Sequence, residues 1–155
     1  MTKFTESQRM FDSLFNKIIV ILVMILFGKL IYNSFTVGFS YSTIFSLIIL
    51  LFTIIVFVIF RVKTEVNQNG IIVQITPFNL YHKTFDWKEI QKVEVVKYSP
   101  LSEYGGWGYR RSKNGTAINP TGDKGLKIYF KNGTKLLIGT KKEEELKQFL
   151  KSIKK

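Results

Sequence analysis

The chain has 155 residues and a formal net charge of +12, and 46% of its residues are hydrophobic. That length suits one domain of ordinary size plus a membrane anchor. Cysteine is absent and His82 is the sole histidine, which excludes disulfides, cysteine nucleophiles and zinc sites built from His and Cys ligands.

Two apolar segments in the first sixty residues predict a transmembrane hairpin. The second, 41–60, is long enough at 1.5 Å per residue to cross about 30 Å of hydrocarbon. The first is interrupted by Lys29, whose long stem can reach the interface, so the predicted span is about 17–36. A cleaved signal peptide is disfavoured because no small-residue cleavage site follows. An aromatic belt is predicted at Tyr32, Phe35, Phe39 and Tyr41.

Basic residues flank this hairpin at its two outer ends, with Lys3, Arg9 and Lys17 before it and Arg61 and Lys63 after it. The connection between the two apolar segments has no basic residue after Lys29. The distribution predicts a multi-pass protein of the cell (inner) membrane with both termini in the cytoplasm. Thr5 and Gln8 resemble a helix capping box, which predicts that the first helix begins in the headgroup region.

The remainder, 61–155, contains 19 Lys and Arg against 9 Asp and Glu. Its apolar residues alternate with polar ones, and Asn69-Gly70 and Asn132-Gly133 are hairpin turn signals. About seven strands are predicted, in a sandwich or barrel, at 60–66, 71–76, 81–87, 93–98, 109–118, 126–130 and 135–138.

A C-terminal helix is predicted to cover an open end of this barrel. Its apolar residues recur at helical spacing, at Leu146, Phe149, Leu150 and Ile153. Thr140 and Glu143 resemble a capping box at its start, and Lys151, Lys154 and Lys155 match the helix dipole at its end.

About seven strands followed by one amphipathic helix resemble the pleckstrin-homology (PH) superfold. The whole chain resembles a family of small bacterial membrane proteins that have two membrane helices followed by a PH-like domain. The resemblance rests on the order of the two predicted membrane helices, the strands, and then three short motifs: Gly105-Gly106-Trp107-Gly108-Tyr109-Arg110-Arg111, Gly125-Leu126 and Ile138-Gly139-Thr140. The resemblance implies a membrane anchor at 1–60 and a cytoplasmic PH-like domain at 61–155. Members of that family mostly have no established function, so it implies a fold more than an activity.

The segment 104–111 is the first candidate contact site, and it has two interpretations. Three glycines permit positive φ angles, while Trp107, Tyr109, Arg110 and Arg111 offer aromatic and guanidinium groups to an anion or a lipid headgroup. Alternatively, Trp107 plugs one end of the barrel and the glycines let the chain turn around it.

A second candidate contact is the row of lysines on the last strands: Lys124, Lys127, Lys131 and Lys135. They could attract anionic lipid, or they could form a solvated face. The predicted first hairpin loop, 67–70, has no charged residue, so phosphoinositide recognition is not expected.

These features predict a non-enzymatic binding or scaffold module at the cytoplasmic face, which binds a protein partner or anionic lipid. The alternative is an accessory subunit of a larger membrane enzyme or transporter. No cofactor, metal or nucleic-acid partner is expected, since no nucleophile-base pair, metal cluster or nucleotide loop is recognisable.

Overall fold

The computed structural model describes residues 2–12, 14–38, 40–77, 79 and 81–153, and most of their regular structure outside the apolar helices is β. The strands are β1 Lys3–Arg9, β2 Arg61–Asn67, β3 Gly70–Thr76, β4 Tyr81–Asp86, β5 Ile90–Lys97, β6 Gly108–Ser112, β7 Gly115–Asn119, β8 Lys124–Phe130 and β9 Lys135–Gly139. A 3-10 turn covers Met10–Asp12, and the α-helices are α1 Leu14–Val37, α2 Tyr41–Ile59, α3 Pro100–Tyr104 and α4 Glu143–Ile153.

The nine strands form two sheets rather than a closed barrel. One sheet has the order β1-β2-β3-β4, and the other has the order β5-β8-β9-β7-β6 with β7 parallel to β9. Of the two predicted alternatives, a sandwich or a barrel, the closed barrel is therefore wrong, because the edge strands β4 and β6 do not pair in the described part of the chain.

The structure has two strands more than the predicted number of about seven, for two local reasons. The segment 109–118, predicted as one strand, is a hairpin of β6 and β7 that turns at Lys113 and Asn114. The other additional strand is β1, where Thr5 and Gln8 lie in an extended segment that pairs with β2 and not in a helix cap. Both Asn-Gly turns lie where the sequence predicts them, between β2 and β3 and between β8 and β9.

Two apolar helices are present, but only one of them has the length of a membrane span within the described residues. The stretch Asn16–Val37 in α1 is long and apolar enough to cross a membrane. The apolar stretch of α2 is the shorter Tyr41–Val56, which covers about 24 Å at 1.5 Å per residue. Of the two predicted spans, the described residues therefore show only the first; α2 as a whole runs from Tyr41 to Ile59.

Most of the apolar surface of the molecule lies on this helical hairpin. Among the described residues, every exposed large apolar side chain except Leu101 and Tyr109 belongs to α1 or α2. Residues Phe39, Lys154 and Lys155, for which a place in the aromatic belt or at the end of the last helix is predicted, lie outside the described residues.

The main core lies between the two sheets and under α4. It contains Phe4 from β1, Val66 from β2 and Ile128 from β8, together with Leu146 and Phe149 from the last helix. The predicted amphipathic pattern of α4 is confirmed, since Leu146, Phe149 and Leu150 are buried. A smaller cluster of Tyr98, Tyr104, Ala117 and Leu137 lies under α3 on the outer face of the second sheet.

A buried carboxylate joins β1 to the start of α4. Glu6 is 7% exposed and accepts hydrogen bonds from Thr140 Oγ1 at 2.6 Å and from the Lys141 backbone N–H at 2.7 Å. Thr140 Oγ1 in turn accepts from the Lys142 N–H, while Glu143 pairs with Lys124 and Lys147. The predicted capping box is therefore replaced by an arrangement that depends on β1.

Replacing Phe4 with Ala tests whether β1 belongs to the β domain. Phe4 is 5% exposed, and loss of a buried phenyl ring costs about 3–5 kcal/mol. We expect Phe4→Ala to lower the free energy of unfolding by about that amount, measured by urea titration of the full chain in detergent with tryptophan fluorescence. The exposed neighbour Thr5 is the control, and Thr5→Ala should change the same quantity by less than about 0.5 kcal/mol. Equal effects of the two substitutions would contradict the role of β1.

Candidate functional site

Two arginines lie side by side where the helical hairpin joins the β domain. Arg9 ends β1, Arg61 begins β2, and the two are directly opposite in the antiparallel register. The Met10 N–H donates to the Phe60 carbonyl oxygen at 3.4 Å, so the chain leaves and re-enters the sheet at one point. Within the described residues neither guanidinium has an acidic partner. Like charges directly opposite destabilise an isolated strand pair, so this arrangement favours a bound anion.

The open seam between β4 and β6 lies near the same end of the domain. Tyr81 of β4 and Tyr109 of β6 face each other across it, with ring centroids 5.8 Å apart. Tyr81 lies opposite Ile75, one residue before the Thr76 that pairs with Arg61. We call this end, with Arg9, Arg61, Tyr81 and Tyr109, the proximal end.

Two cations extend the tyrosine pair along the seam. Lys83 Nζ lies 6.0 Å from the ring centroid of Tyr81, and the Arg111 guanidinium lies 5.8 Å from that of Tyr109. Arg111 Nη2 also donates to the Tyr109 hydroxyl at 3.3 Å. Both cations are exposed. Lys83 is nevertheless on the inward face of β4, because it lies directly opposite the fully buried Val73 of β3. An inward-facing charge on an edge strand discourages pairing, which is the physical reason that the seam stays open.

The seam is suited to bind an anion beside an apolar group. Burial raises the pKa of the Tyr81 phenol, with a smaller contribution from Tyr109, so this hydroxyl remains neutral at physiological pH. Tyrosine rings beside cations are typical of the boundary between water and lipid headgroups.

The glycine-rich segment adopts the predicted positive φ angles at Gly105, Gly106 and Gly108. Trp107 is half-buried, and neither core cluster of the described residues includes it. Its indole N–H donates to the Gly122 carbonyl oxygen at 2.9 Å, and its own carbonyl accepts from Arg110 Nε at 2.9 Å. Arg110 is thereby held over the loop, whereas Tyr109 and Arg111 point into the seam.

The four predicted lysines do not form one surface. Lys124 pairs with Glu143 at the start of α4, and this ion pair raises the pKa of the Lys124 ammonium and lowers that of the Glu143 carboxyl. Lys127 and Lys135 lie on either side of the Tyr129 ring, with Nζ at 5.7 and 5.9 Å from its centroid. Lys131 lies in the turn after β8, where its backbone N–H donates to the Glu89 carbonyl oxygen.

Lys131, and Lys135 just after the same turn, lie far from the helical hairpin. Glu89 lies in the turn that follows Asp86. Asp86 is opposite Gly70, the first residue of β3, at one end of the first sheet. That end is separated from Arg61 by the whole of the seven-residue strand β2, or about 20 Å. We call this end of the β domain, with the turns at 67–70, 86–89 and 131–134, the distal end.

The Tyr129 cluster includes residues that no sequence pattern singles out. Lys92 Nζ lies 5.5 Å from the Tyr129 ring centroid and 2.5 Å from a carboxylate oxygen of Glu94. The Tyr129 hydroxyl donates to Glu94 at 2.6 Å, which is the main reason that its pKa is raised to about 12. The pKa of the Glu94 carboxyl is lowered by the ion pair with Lys92 and then by Tyr129. These contacts join β5 to β8, whose register could not be read from the sequence.

No group of three or more His, Cys, Asp or Glu side chains in the described part of the chain is placed to hold a metal ion. His82 is exposed on the edge strand β4. Comparison with known proteins finds no family model and no curated sequence that matches this chain.

Substitution of Glu94 by Gln tests the hydrogen bond to Tyr129. A neutral amide stabilises the protonated phenol less than a carboxylate does, so the pKa of Tyr129 should fall from about 12 toward its ordinary value of 10.0. Because the folded pKa is raised, the stability that it contributes is present below pH 10.0 and is lost as the pH rises through about 12. Tyrosinate absorbance in an alkaline titration, taken as the difference from Tyr129→Phe, measures the shift.

Tyr98 provides the internal reference for that titration. Burial raises the pKa of Tyr98 to about 12, and a hydrogen bond with Asn119 partly opposes this rise. Glu94 is not among the causes of the shift. Its titration should be the same in both proteins. An unchanged titration of Tyr129 in the Glu94→Gln variant would show that the hydrogen bond does not control its pKa.

Proposed function

We propose that the chain is a membrane-anchored, non-enzymatic binding module whose proximal end contacts anionic lipid headgroups. The observation that carries the proposal is the direct junction between an exposed apolar hairpin and two arginines, Arg9 and Arg61, that have no acidic partner among the described residues. Soluble proteins rarely expose an apolar surface as large as that of α1 and α2. Lipid around the hairpin would cover it and place the two guanidiniums at the level of the phosphates.

In this proposal both helices cross the bilayer, although α2 is the shorter. A short span is accommodated by local thinning of the bilayer at a modest energetic cost. Lys29 is exposed on α1, eight residues before Val37, so its ammonium is about 12 Å along the helix from that end and reaches outward through its stem. The proposal assigns the β domain and both termini to the cytoplasmic side, and the basic residues at the junction support this orientation.

The proposal also includes a PH-like character for the β domain. Two packed sheets with a C-terminal helix over the core support it. The extra strand β1 and the parallel pair of β7 and β9 are departures that limit the resemblance to the general plan of the domain. Phosphoinositide specificity is not part of the proposal, since the 67–70 turn offers no basic side chain.

A hairpin deletion tests the membrane anchor. Because Arg9 and Arg61 are neighbours in the register, an Asn-Gly turn in place of residues 10–60 should close β1 and β2 directly. We expect the full chain to remain in the membrane pellet after alkaline carbonate extraction, and the deletion variant to be soluble with native tryptophan fluorescence. Release of the full chain by alkaline carbonate would contradict a transmembrane anchor.

Charge substitutions in the soluble deletion variant test the headgroup contact. Each basic residue near an anionic surface contributes about 1 kcal/mol, so Arg9→Gln with Arg61→Gln should weaken binding to phosphatidylglycerol vesicles about tenfold or more. Phosphatidylcholine vesicles and high salt should abolish the difference. Sedimentation of vesicles with bound protein provides the measurement.

The matched control removes the same charge from the distal end. Lys131→Gln with Lys135→Gln also lowers the net charge by two, but these residues lie about 20 Å from the junction. This variant should retain most of its vesicle binding. If both double variants lose binding equally, the net charge and not the proximal end is responsible.

A further inference from the structure

The distal end of the β domain has a cleft that the membrane contact does not use. It has a volume of about 460 Å³ and opens between β5, the end of α4 and the turns before β3 and β5. Its apolar wall consists of Trp87, Ile90, Val93, Leu150 and Ile153. The volume falls within the range of about 300–1,000 Å³ that is typical of ligand clefts, so several apolar side chains of a partner could enter.

A break in the strand register forms the lip of the cleft. The pairing of β5 with β8 shifts between Ile90 and Lys92, which leaves Gln91 as the extra residue of a bulge. Bulges re-aim the neighbouring side chains. Ile90 therefore packs in the main core, while Lys92 lines the cleft and also contacts the Tyr129 ring.

The cations near the cleft lie on the outward face of the second sheet, and of the three only Lys92 also lines the cleft. Lys92, Lys127 and Lys135 surround one tyrosine ring at 5.5 to 5.9 Å, and Glu94 is the acid among them. Three positive charges against one negative charge leave a net charge of about +2. Separate carboxylates along a chain match this spacing better than a single phosphate group does.

We propose that the distal cleft and the Tyr129 lysines together dock an acidic segment of another protein, one that carries an apolar side chain beside its carboxylates. The apolar group would enter between Trp87 and Ile153, and the segment would then cross the edge strand β5 at Lys92, so that its carboxylates pair with Lys92, Lys127 and Lys135 on the outward face of the sheet. Charge complementarity and the adjoining apolar wall identify this partner chemistry. The bilayer that holds the helical hairpin cannot also occupy this site, because the proximal and distal ends of the domain are about 20 Å apart. Only this exclusion of the bilayer rests on the proposed function.

Peptide binding to the full chain in phosphatidylcholine nanodiscs tests this docking site. The probe is the peptide Gly-Phe-Glu-Glu-Glu, with Gly-Phe-Gln-Gln-Gln and Gly-Gly-Glu-Glu-Glu as controls for charge and for the apolar group. Trp87 reports occupancy by its fluorescence in a Trp107→Phe background, since the chain has two tryptophans. We expect saturable binding of the first peptide, weaker binding of both controls, and a decrease at high salt.

Substitutions then locate the binding. Lys92→Gln and Lys127→Gln should each weaken the complex about two- to fivefold, as expected for exposed ion pairs. Lys97→Gln is the matched control, because Lys97 lies on the same strand and also pairs with an acid, Asp123, at 3.5 Å. Its effect should be negligible.

Three results would overturn the docking proposal. One is the absence of binding at millimolar peptide, and another is equal binding of the glutamine peptide. The third is tighter, lysine-dependent binding of a thymidine oligonucleotide, which would assign the same surface to nucleic acid. None of these outcomes affects the proximal end, which the vesicle experiments test separately through Arg9 and Arg61.

Discussion

The pairing of β1 with β2 determines how the rest of the molecule is arranged. The chain leaves the β domain at Arg9, forms both apolar helices, and returns at Arg61 to the adjacent strand. The hairpin is thus an insertion between two neighbouring strands rather than a leader that precedes the domain. Because both connections lie at one point, the hairpin defines a proximal end and a distal end of the sheets.

The buried side chains of β1 also bind this strand to the main core and to the start of the last helix. Phe4 packs between the sheets, Gln8 Nε2 donates to the Gly139 carbonyl oxygen at 2.7 Å, and Glu6 holds the chain ahead of α4. Residues that precede the hairpin are therefore bound to residues about 130 positions later in the chain. Movement of the helical hairpin relative to the domain would disturb this network, so the hairpin and the β domain are mechanically joined.

The open seam and the distal cleft are two consequences of sheets that do not close. At β4 and β6 the inward-facing Lys83 and Arg111 keep the edges apart, and at β5 a bulge opens the lip of the cleft. Both places combine tyrosine rings with cations, although only the seam lies beside the helical hairpin. The basic charge of the domain is consequently divided between two separate surfaces.

Local patterns in the sequence determined the apolar helices, the two Asn-Gly turns, most strands and the buried stripe of α4, because each depends on residues that are close together in the chain. They could not identify β1, which alternates polar residues with only one large apolar residue, Phe4, and is buried because β2 and α4 pack against it. The grouping of the candidate residues was decided by tertiary structure alone: strand register placed Lys127 and Lys135 beside Tyr129, Lys124 beside Glu143, and Arg111 in the seam. Register between strands far apart in sequence depends on the packing of both sheets at once, and no single segment encodes it.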